Sequence, residues 1–317
     1  MALLKRLKKH PAVRDLRHRA LAGLLRGCCR AASRLPLGWL RGMGVCLGSA
    51  GFALLGRDRR RALDNLRLAL GESVPAARRR AIARESFRNL AVTALEFSRV
   101  RVLDTPRYLD LIDYTPEQEA LIRDTHARGR GVIFASAHFG NWEMLAEFGP
   151  RLGIEMSVLF KPSTNPYFTR FMTELRGKTR MIDINADLSV VVRRLREGGA
   201  VSLLFDENAR GRGVELPFFG RPASTYRGPA YFCLRAGSPI ICAYLVRGAG
   251  LRHRLLLERT IEPRRMGSLE EDIRRIMLEM NRSLETVVRQ YPGQWYWMYR
   301  RWPRRPASPP VPDPSGG

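Results

Sequence analysis

The chain has 317 residues, and 45% of them are hydrophobic, enough to build the core of one large α/β domain or two small ones. Lysine and arginine total 55 against 30 acidic residues, and the formal net charge of +25 predicts an anionic partner: acidic lipid, nucleic acid or an acidic protein. The five cysteines lack C-x-x-C spacing and the histidines do not cluster, which argues against a zinc site and favours a reducing compartment.

Residues 1–56 are predicted to associate with a membrane, and residues 1–34 are too basic to read as a convincing secretory signal. The first 30 residues carry nine lysines and arginines and one aspartate, interleaved with leucine and alanine. This composition is typical of an amphipathic helix on an anionic membrane, with a solvated basic helix as the alternative. Residues 42–56 are uncharged but shorter than the roughly 20 residues that span a bilayer. They are expected to lie on or dip into a membrane, or to form a buried helical hairpin.

Two helices, separated by a break at 71–75, are predicted over residues 58–97, followed by a helix-rich connection at 101–128. From residue 129, short apolar runs alternate with helical segments. The predicted strands are 131–136, 156–160, 200–205, 214–218, 239–246 and 255–261; the predicted helices are 142–152, 166–175, 188–197, 225–236 and 269–290. This alternation indicates an α/β fold with a mostly parallel, buried sheet flanked by helices. Residues 57–302 would form the globular domain, and the tail at 303–317, rich in Pro, Ser and Gly, should be disordered.

The strongest chemical signal is His138, in the segment A-S-A-H-F-G-N-W-E at 135–143. It follows a predicted buried strand and precedes a helix for which Asn141 is a suitable N-cap. Glu143, in the first turn, is expected to accept the hydrogen bond of one imidazole nitrogen and leave the other as a base. The alternative is a histidine that merely hydrogen-bonds to the helix N-terminus. Ser136 lacks a G-x-S-x-G elbow and is not expected to be a nucleophile.

Three later segments add candidate residues. At 205–213, Asp206 or Glu207 could join the relay around His138, and Arg210 and Arg212 offer forked donors for a phosphate or carboxylate, with a charged surface turn as the alternative. At 216–225, adjacent aromatic residues suggest either the wall of an apolar groove or plain core packing. At 294–302, tryptophan and tyrosine alternate with arginine, a composition that suits a membrane interface or stacking on nucleic-acid bases. The sequence contains neither G-x-G-x-x-G nor a P-loop, so no nucleotide cofactor is expected.

The motifs H-F-G-N-W-E at 138–143, L-P-F-F-G-R-P-A-S-T at 216–225, R-x-x-x-N-L at 61–66 and Q-W-Y-W-M-Y-R-R at 294–301 occur together in one order and spacing. In this the chain resembles the bacterial lipid A late acyltransferases (lauroyl and myristoyl transferases), which belong with mycobacterial phosphatidylinositol mannoside acyltransferases to the glycerolipid acyltransferase superfamily. The resemblance covers residues 57–302.

The resemblance implies an α/β acyltransferase fold at the cytoplasmic face of the inner membrane. It implies His138 as general base, Glu143 as its orienting group, and direct attack of an acceptor hydroxyl on an acyl thioester. The donor would be acyl carrier protein or coenzyme A. An acidic carrier protein, or an anionic glycolipid acceptor such as a lipid A precursor, suits a chain of net charge +25. Lys161 stands where relatives often carry arginine.

The leading hypothesis is therefore a membrane-associated O-acyltransferase without a metal or cofactor. The expected substrate-binding residues are Asn141, Lys161, Asp206, Glu207, Arg210, Arg212, Phe218 and Phe219, with Lys161, Arg210 and Arg212 as anion contacts and the two phenylalanines as the acyl-groove wall. A basic nucleic-acid-binding protein and a non-catalytic membrane partner protein are the alternatives, and no nucleic-acid module appears.

Overall fold

The computed structural model describes residues 11–100, 102–177 and 179–302. The expectations for the first ten residues and for the tail at 303–317 therefore lie outside the described residues. The described chain opens with four helices: α1 (Pro11–Ala32), α2 (Leu37–Leu54), α3 (Gly56–Leu70) and α4 (Ala76–Val100). A short helix, α5 (Thr105–Leu109), then leads into the α/β part of the molecule.

Helix α2 packs closely on α4 because two glycines face it. A Cβ atom built on Gly44 would lie 2.7 Å from the backbone of Val92, and one built on Gly48 would lie 2.4 Å from the backbone of Arg88. The opposite face of α2 is exposed and apolar, with Trp39 70% exposed. Helix α2 thus has one face fixed to the protein and one face without a partner in the described structure.

The central sheet has seven strands in the order β1-β9-β8-β2-β5-β3-β4. Neighbouring strands are parallel except β8 and β9, which are antiparallel. The strands are β1 (Ile112–Asp113), β2 (Val132–Ser136), β3 (Met156–Phe160), β4 (Arg180–Asp183), β5 (Ala200–Leu204), β8 (Ile240–Arg247) and β9 (His253–Ile261). The helices that follow or connect them are α6 (Pro116–Ala127), α7 (Trp142–Arg151), α8 (Pro166–Arg176), α9 (Ser189–Arg196), α10 (Gly228–Ala236) and α11 (Leu269–Gln290).

Helices cover both faces of the sheet, which explains why the strand sequences are continuously apolar. In β2 every residue is buried, and successive side chains point to opposite faces. Ile133 and Ala135 pack into a core shared with α4, α9, α10 and α11, whereas Val132 and Phe134 pack into a second core shared with α5, α6 and α7. The predicted α/β class, with a mostly parallel sheet flanked by helices, is confirmed.

One predicted strand has a different place. Residues 214–218 form β6 (Val214–Phe218), which pairs with β7 (Arg221–Thr225) in a separate antiparallel hairpin. The prediction that a helix begins at residue 225 was wrong, since α10 begins at Gly228. The hairpin turn, Phe219-Gly220, has positive φ at both positions (51° and 66°), the geometry of a tight two-residue turn. Because Phe219 stands where such turns usually carry Asn, Asp or Gly, the sequence did not indicate a turn here.

Candidate active site

The ends of parallel strands bring the candidate residues to one edge of the sheet. Strands β2 and β5 are neighbours, with Ser136 opposite Leu204. His138 and Asp206 each lie two residues beyond these partners, so the register places them side by side. Lys161 directly follows β3, the next strand along. This carboxyl edge is where open α/β sheets bind their ligands.

Asp206 holds the imidazole of His138. Its Oδ1 lies 2.9 Å from His138 Nδ1, and its Oδ2 accepts from the backbone N–H of His138 (3.0 Å) and from Trp295 Nε1 (2.9 Å). The side chain of Asp206 is fully buried, whereas that of His138 is 16% exposed. Asp206 therefore favours the tautomer that carries its proton on Nδ1, which leaves the lone pair of Nε2 as an acceptor.

The charges of this pair stabilise one another. Burial alone would lower the pKa of His138, but the Asp206 carboxylate, with smaller contributions from Glu207 and Glu143, outweighs burial and raises the pKa above its ordinary value. Burial alone would raise the pKa of Asp206, but its charge interaction with His138 and its hydrogen bonds from His138 and Trp295 lower it. Asp206 is thus ionised at neutral pH and poised to stabilise an imidazolium.

Glu143 does not contact the imidazole, and the expectation that it orients His138 was wrong. Its two carboxylate oxygens lie 2.9 and 2.8 Å from Nη2 of Arg176, at the end of α8. Both side chains are mostly buried. Sequence reasoning missed this pair because Arg176 stands 33 residues away and carries no motif. Glu143 still raises the pKa of His138 through its charge, as one of the smaller contributions.

Asn141 is the N-cap of α7, as predicted: its Oδ1 accepts from the backbone N–H of Met144 at 3.0 Å. It was also expected to contact substrate, and here the structure differs. The side chain is fully buried and its Nδ2 donates to Glu96 at 2.7 Å. Both of its polar atoms are thus used inside the protein.

The C-terminal segment 294–302 lies across the site. The backbone N–H of Tyr296 donates to the carbonyl of His138 at 2.9 Å, and the hydroxyl of Tyr299 lies 3.5 Å from His138 Nε2. Burial and the neighbouring Glu207 raise the pKa of Tyr299, so its hydroxyl stays protonated. The tryptophans of this segment, together with Arg301, are almost completely buried. The expectation that it forms a membrane interface or a base-stacking surface was therefore wrong.

The R-x-x-x-N-L motif holds this segment in place. Asn65 Nδ2 donates to the carbonyls of Trp297 (2.7 Å) and Tyr299 (2.5 Å), and Arg61 Nη1 donates to that of Met298 (3.0 Å). Arg301 is fully buried and donates to the carbonyl of Ser224 (2.8 Å) in the β6–β7 hairpin. Motifs far apart in the sequence therefore meet at the site.

The remaining candidates divide into surface and core. Lys161, Arg210 and Arg212 are exposed beyond the carboxyl ends of β3 and β5, and Glu207 is half-buried next to Tyr299. Phe218 is fully buried among Trp295, Trp302 and Phe219, in the core that contains Ile133 and Ala135. The two phenylalanines are core residues, which contradicts their expected place in an acyl groove.

Across the described ranges, no group of three or more His, Cys, Asp or Glu side chains gathers at a candidate metal site.

An apolar cavity lies on the other face of the sheet, between α7 and the strands. Its lining is almost entirely hydrophobic and includes Ser136, Phe134, Phe148, Gly149, Met156 and Leu257. Ser136 stands two residues before His138, and its buried hydroxyl has no hydrogen-bond partner in the structure. The cavity thus adjoins the strand that delivers the imidazole.

Among the described residues, α2 is the one helix whose length and composition would allow it to cross a membrane. Only 22% of it is buried within the protein. By itself this is weak support for a membrane-associated segment. A second observation that supports such a segment is the set of exposed apolar side chains on α1 and α2: Val13, Leu16, Leu21, Leu24, Trp39, Met43, Val45, Leu47 and Leu54.

Comparison with known proteins identifies the family. Residues 8–304 match the family described as bacterial lipid A biosynthesis acyltransferase. The lipid A biosynthesis palmitoleoyltransferase of Escherichia coli (strain K12) is 25% identical over 281 residues, 86% of this chain and 88% of that protein. The lauroyltransferase of the same strain is 24% identical over 288 residues, covering 87% and 89% of the two chains.

A phosphatidylinositol mannoside acyltransferase of Mycobacterium tuberculosis (strain CDC 1551 / Oshkosh) is 24% identical over 190 residues, 56% of each chain. The matches that cover most of the chain are thus to lipid A biosynthesis enzymes, and the match to the phosphatidylinositol mannoside acyltransferase is partial. The chain belongs to the bacterial lipid A biosynthesis acyltransferase family and is an acyltransferase.

Proposed function

We propose that the enzyme transfers a fatty acyl chain from an acyl thioester, on acyl carrier protein or coenzyme A, to a hydroxyl of a lipid A precursor or a related glycolipid. The observation that carries this proposal is the hydrogen bond between buried Asp206 and Nδ1 of His138, which leaves Nε2 to act as the base. The names of the relatives support the lipid A precursor as acceptor.

In the proposed reaction, His138 Nε2 takes the proton of the acceptor hydroxyl while the hydroxyl oxygen attacks the carbonyl carbon of the thioester. The C–O bond forms, the C–S bond breaks, and the imidazolium returns the proton to the departing thiolate. Asp206 keeps the tautomer and stabilises the imidazolium, and no enzyme nucleophile is needed. The hydroxyl of Tyr299, 3.5 Å from Nε2, occupies the space that the acceptor hydroxyl would enter.

The apolar cavity between α7 and the sheet has a volume of about 20 Å³, roughly the room of one water molecule. We propose that the acyl chain enters there as the surrounding side chains move apart. The cavity walls are hydrophobic, as a fatty acyl chain requires, and Ser136 in the lining stands two residues before the base. Gly149 and Met156 meet there: a Cβ atom on Gly149 would lie 2.3 Å from Cε of Met156. These two residues are therefore positioned to limit the chain length accepted.

The anionic groups of the substrates would meet exposed cations at the carboxyl edge of the sheet. Lys161, Arg210 and Arg212 are exposed there and remain our candidates for phosphate contacts. The net charge of +25 also favours an acidic carrier protein and an anionic membrane surface. The cytoplasmic face of the inner membrane is the proposed location, because acyl thioesters are cytoplasmic and the acceptor is a lipid.

The test is a transfer assay with purified protein in detergent, labelled acyl-acyl carrier protein or acyl-CoA, and a panel of acceptors: lipid A precursor, lysophospholipid and mannosylated lipid. We expect label to enter the lipid A precursor. His138→Ala should lower turnover on the order of 10²- to 10⁴-fold, the contribution of a general base.

The folding control is the thermal unfolding of His138→Gln, which can keep a donor near the buried Asp206 carboxylate and should stay closer to wild type than His138→Ala while losing the base. Wild-type turnover in His138→Ala would refute the general-base mechanism. Transfer to another acceptor of the panel, with none to the lipid A precursor, would refute the acceptor while leaving the chemistry in place.

A further inference from the structure

A buried charged cluster lies beneath the turn that follows His138. It consists of Arg41, Glu96, Arg247 and His253, and is called here the Glu96 cluster. Oε1 of Glu96 accepts from Arg41 Nε at 2.5 Å, and Oε2 accepts from Arg247 Nη2 at 2.7 Å, with His253 Nε2 at 3.3 Å. The Glu96 side chain is 2% exposed. One carboxylate is therefore shared by two arginines from distant parts of the chain.

The cluster holds the turn through direct hydrogen bonds. Oε2 of Glu96 accepts from Asn141 Nδ2 at 2.7 Å. Arg247 Nη2 donates to Thr93 Oγ1 at 3.1 Å, and that hydroxyl donates to the carbonyl of Gly140 at 3.0 Å. Because the two residues after Phe139 are bound in this way, the cluster fixes the backbone that leaves His138.

The turn has little freedom to move independently. Gly140 adopts φ +56°, and a Cβ atom there would lie 2.0 Å from the carbonyl oxygen of Leu245. The backbone N–H of Asn141 donates to the same carbonyl at 2.9 Å. A shift of the Glu96 cluster would therefore be passed to the backbone of His138, two residues before Gly140.

Arg41 comes from α2, outside the α/β part of the molecule. It also donates to the carbonyl of Leu251 at 2.9 Å, in the loop between β8 and β9. Burial lowers the pKa of His253, so the cations beside Glu96 at neutral pH are the two arginines. Without Arg41, Glu96 and Arg247 still form a balanced pair, which should preserve the fold, whereas loss of Glu96 would leave two buried cations unpaired.

We propose that Arg41 and Glu96 are positioning residues for the acyl transfer: docking of α2 inserts Arg41, completes the Glu96 cluster and seats the turn at 139–141 behind the catalytic histidine. The proposal rests on the function proposed above. Helix α2 would then be part of the catalytic apparatus in addition to any role at the membrane, and its docking would be required for full turnover.

The experiment compares full-length wild type, Arg41→Met and Arg41→Lys in detergent micelles. We expect Arg41→Met to lower kcat on the order of ten- to a hundredfold, the effect of a small misplacement of a catalytic group, with KM for both substrates within about twofold. Hydrogen exchange measured by mass spectrometry should become faster over residues 138–145. Arg41→Lys keeps the charge and one donor, and should recover part of both effects.

Ser49→Ala is the matched control. It removes the hydrogen bond from Arg88 Nε to Ser49 Oγ (2.8 Å), which joins the same two helices away from the Glu96 cluster. We expect it to change neither kcat nor exchange over 138–145. Equal effects in Ser49→Ala and Arg41→Met, or wild-type kcat and exchange in Arg41→Met, would overturn the proposal.

The exchange measurement needs no substrate, so it separates this proposal from the proposed function. If wild-type protein transfers no acyl chain to any acceptor, the proposed function fails in its own assay. Faster exchange at 138–145 in Arg41→Met, with thermal unfolding close to wild type, would still support seating of the turn by α2. Unchanged exchange would reject it.

Discussion

Asp206 uses both carboxylate oxygens for three donors, which makes it the most constrained residue of the site. An asparagine there would present an N–H₂ group to donors from His138 or Trp295, so Asp206→Asn cannot satisfy all three. We expect a fall in kcat on the order of 10²- to 10⁴-fold, because the tautomer of His138 is no longer fixed.

Asp206 also sets the pH dependence. His138 must be neutral to act as base, so kcat/KM should rise with pH through its pKa and level off above it. Since Asp206 raises that pKa above the ordinary 6.5, removal of its charge should move the rising limb to lower pH. A pH–rate profile of Asp206→Asn measures this shift. If the rise in kcat/KM stayed at the same pH, the group that titrates would not be His138.

Residue patterns predicted part of this site. The strand-turn-helix context identified His138, and the N-cap role of Asn141 followed from its position. The predicted partner of His138 was Glu143, which is only five residues away in sequence. Asp206, named as a possible member of the relay, comes next to His138 only because β2 pairs with β5. Likewise, Arg176 binds Glu143 from a helix that carries no recognisable motif.

At the scale of elements, the contact between α2 and α4 gives a matched pair of substitutions. Gly48→Ala would place a methyl group 2.4 Å from the backbone of Arg88, whereas Gly42 has open space around it. Gly42→Ala should be neutral or stabilising by up to about 1 kcal/mol, the gain in helix propensity. Gly48→Ala should destabilise by roughly 1–3 kcal/mol, the typical cost of overpacking. Thermal unfolding in detergent compares the two, and equal effects would contradict the close packing.

The cavity between α7 and the sheet leads to a prediction about chain length. Gly149→Ala places a methyl group 2.3 Å from Cε of Met156, whose flexible end must move into the cavity, and should shift preference toward shorter acyl donors. Competition between donors of different length in one reaction measures the shift directly. An unchanged preference, with unchanged total turnover, would place the acyl chain elsewhere.

The order of elements was predictable because apolar runs alternate with amphipathic helices, and five of the six predicted strands lie in the main sheet. The β6–β7 hairpin was missed because its turn carries Phe219 at positive φ instead of Asn or Asp. Strands β1 and β4, with two and four residues, were too short to show a pattern. The segment at 294–302 resembled a surface in composition, yet the chain buries its tryptophans through contacts far away in sequence.

At the scale of the whole molecule, charge and exposed apolar side chains act together. We expect the protein to bind vesicles that contain anionic lipid, and to release them as salt rises from 0.1 to 1 M, where the screening length falls from about 10 to 3 Å. Trp39, 70% exposed on α2, should insert into the membrane, so Trp39→Gln should weaken binding by roughly tenfold.

Met266→Gln is the control for that measurement, because Met266 is 75% exposed but lies far along the chain, just before α11. Vesicle co-sedimentation compares the three proteins. If Met266→Gln weakened binding as much as Trp39→Gln, the exposed face of α2 would not be the membrane-facing surface.

The contact of the C-terminal segment with the site has a consequence for biosynthesis. Trp295 reaches Asp206 across 89 residues, and Tyr299 is held by Asn65 across 234. These are among the latest contacts the chain can form, whereas α1 and α2 leave the ribosome well before residues 295–299. A nascent chain can therefore expose the apolar face of α2 long before the residues that hold the His138–Asp206 pair are made, and we expect activity only after synthesis has passed residue 299.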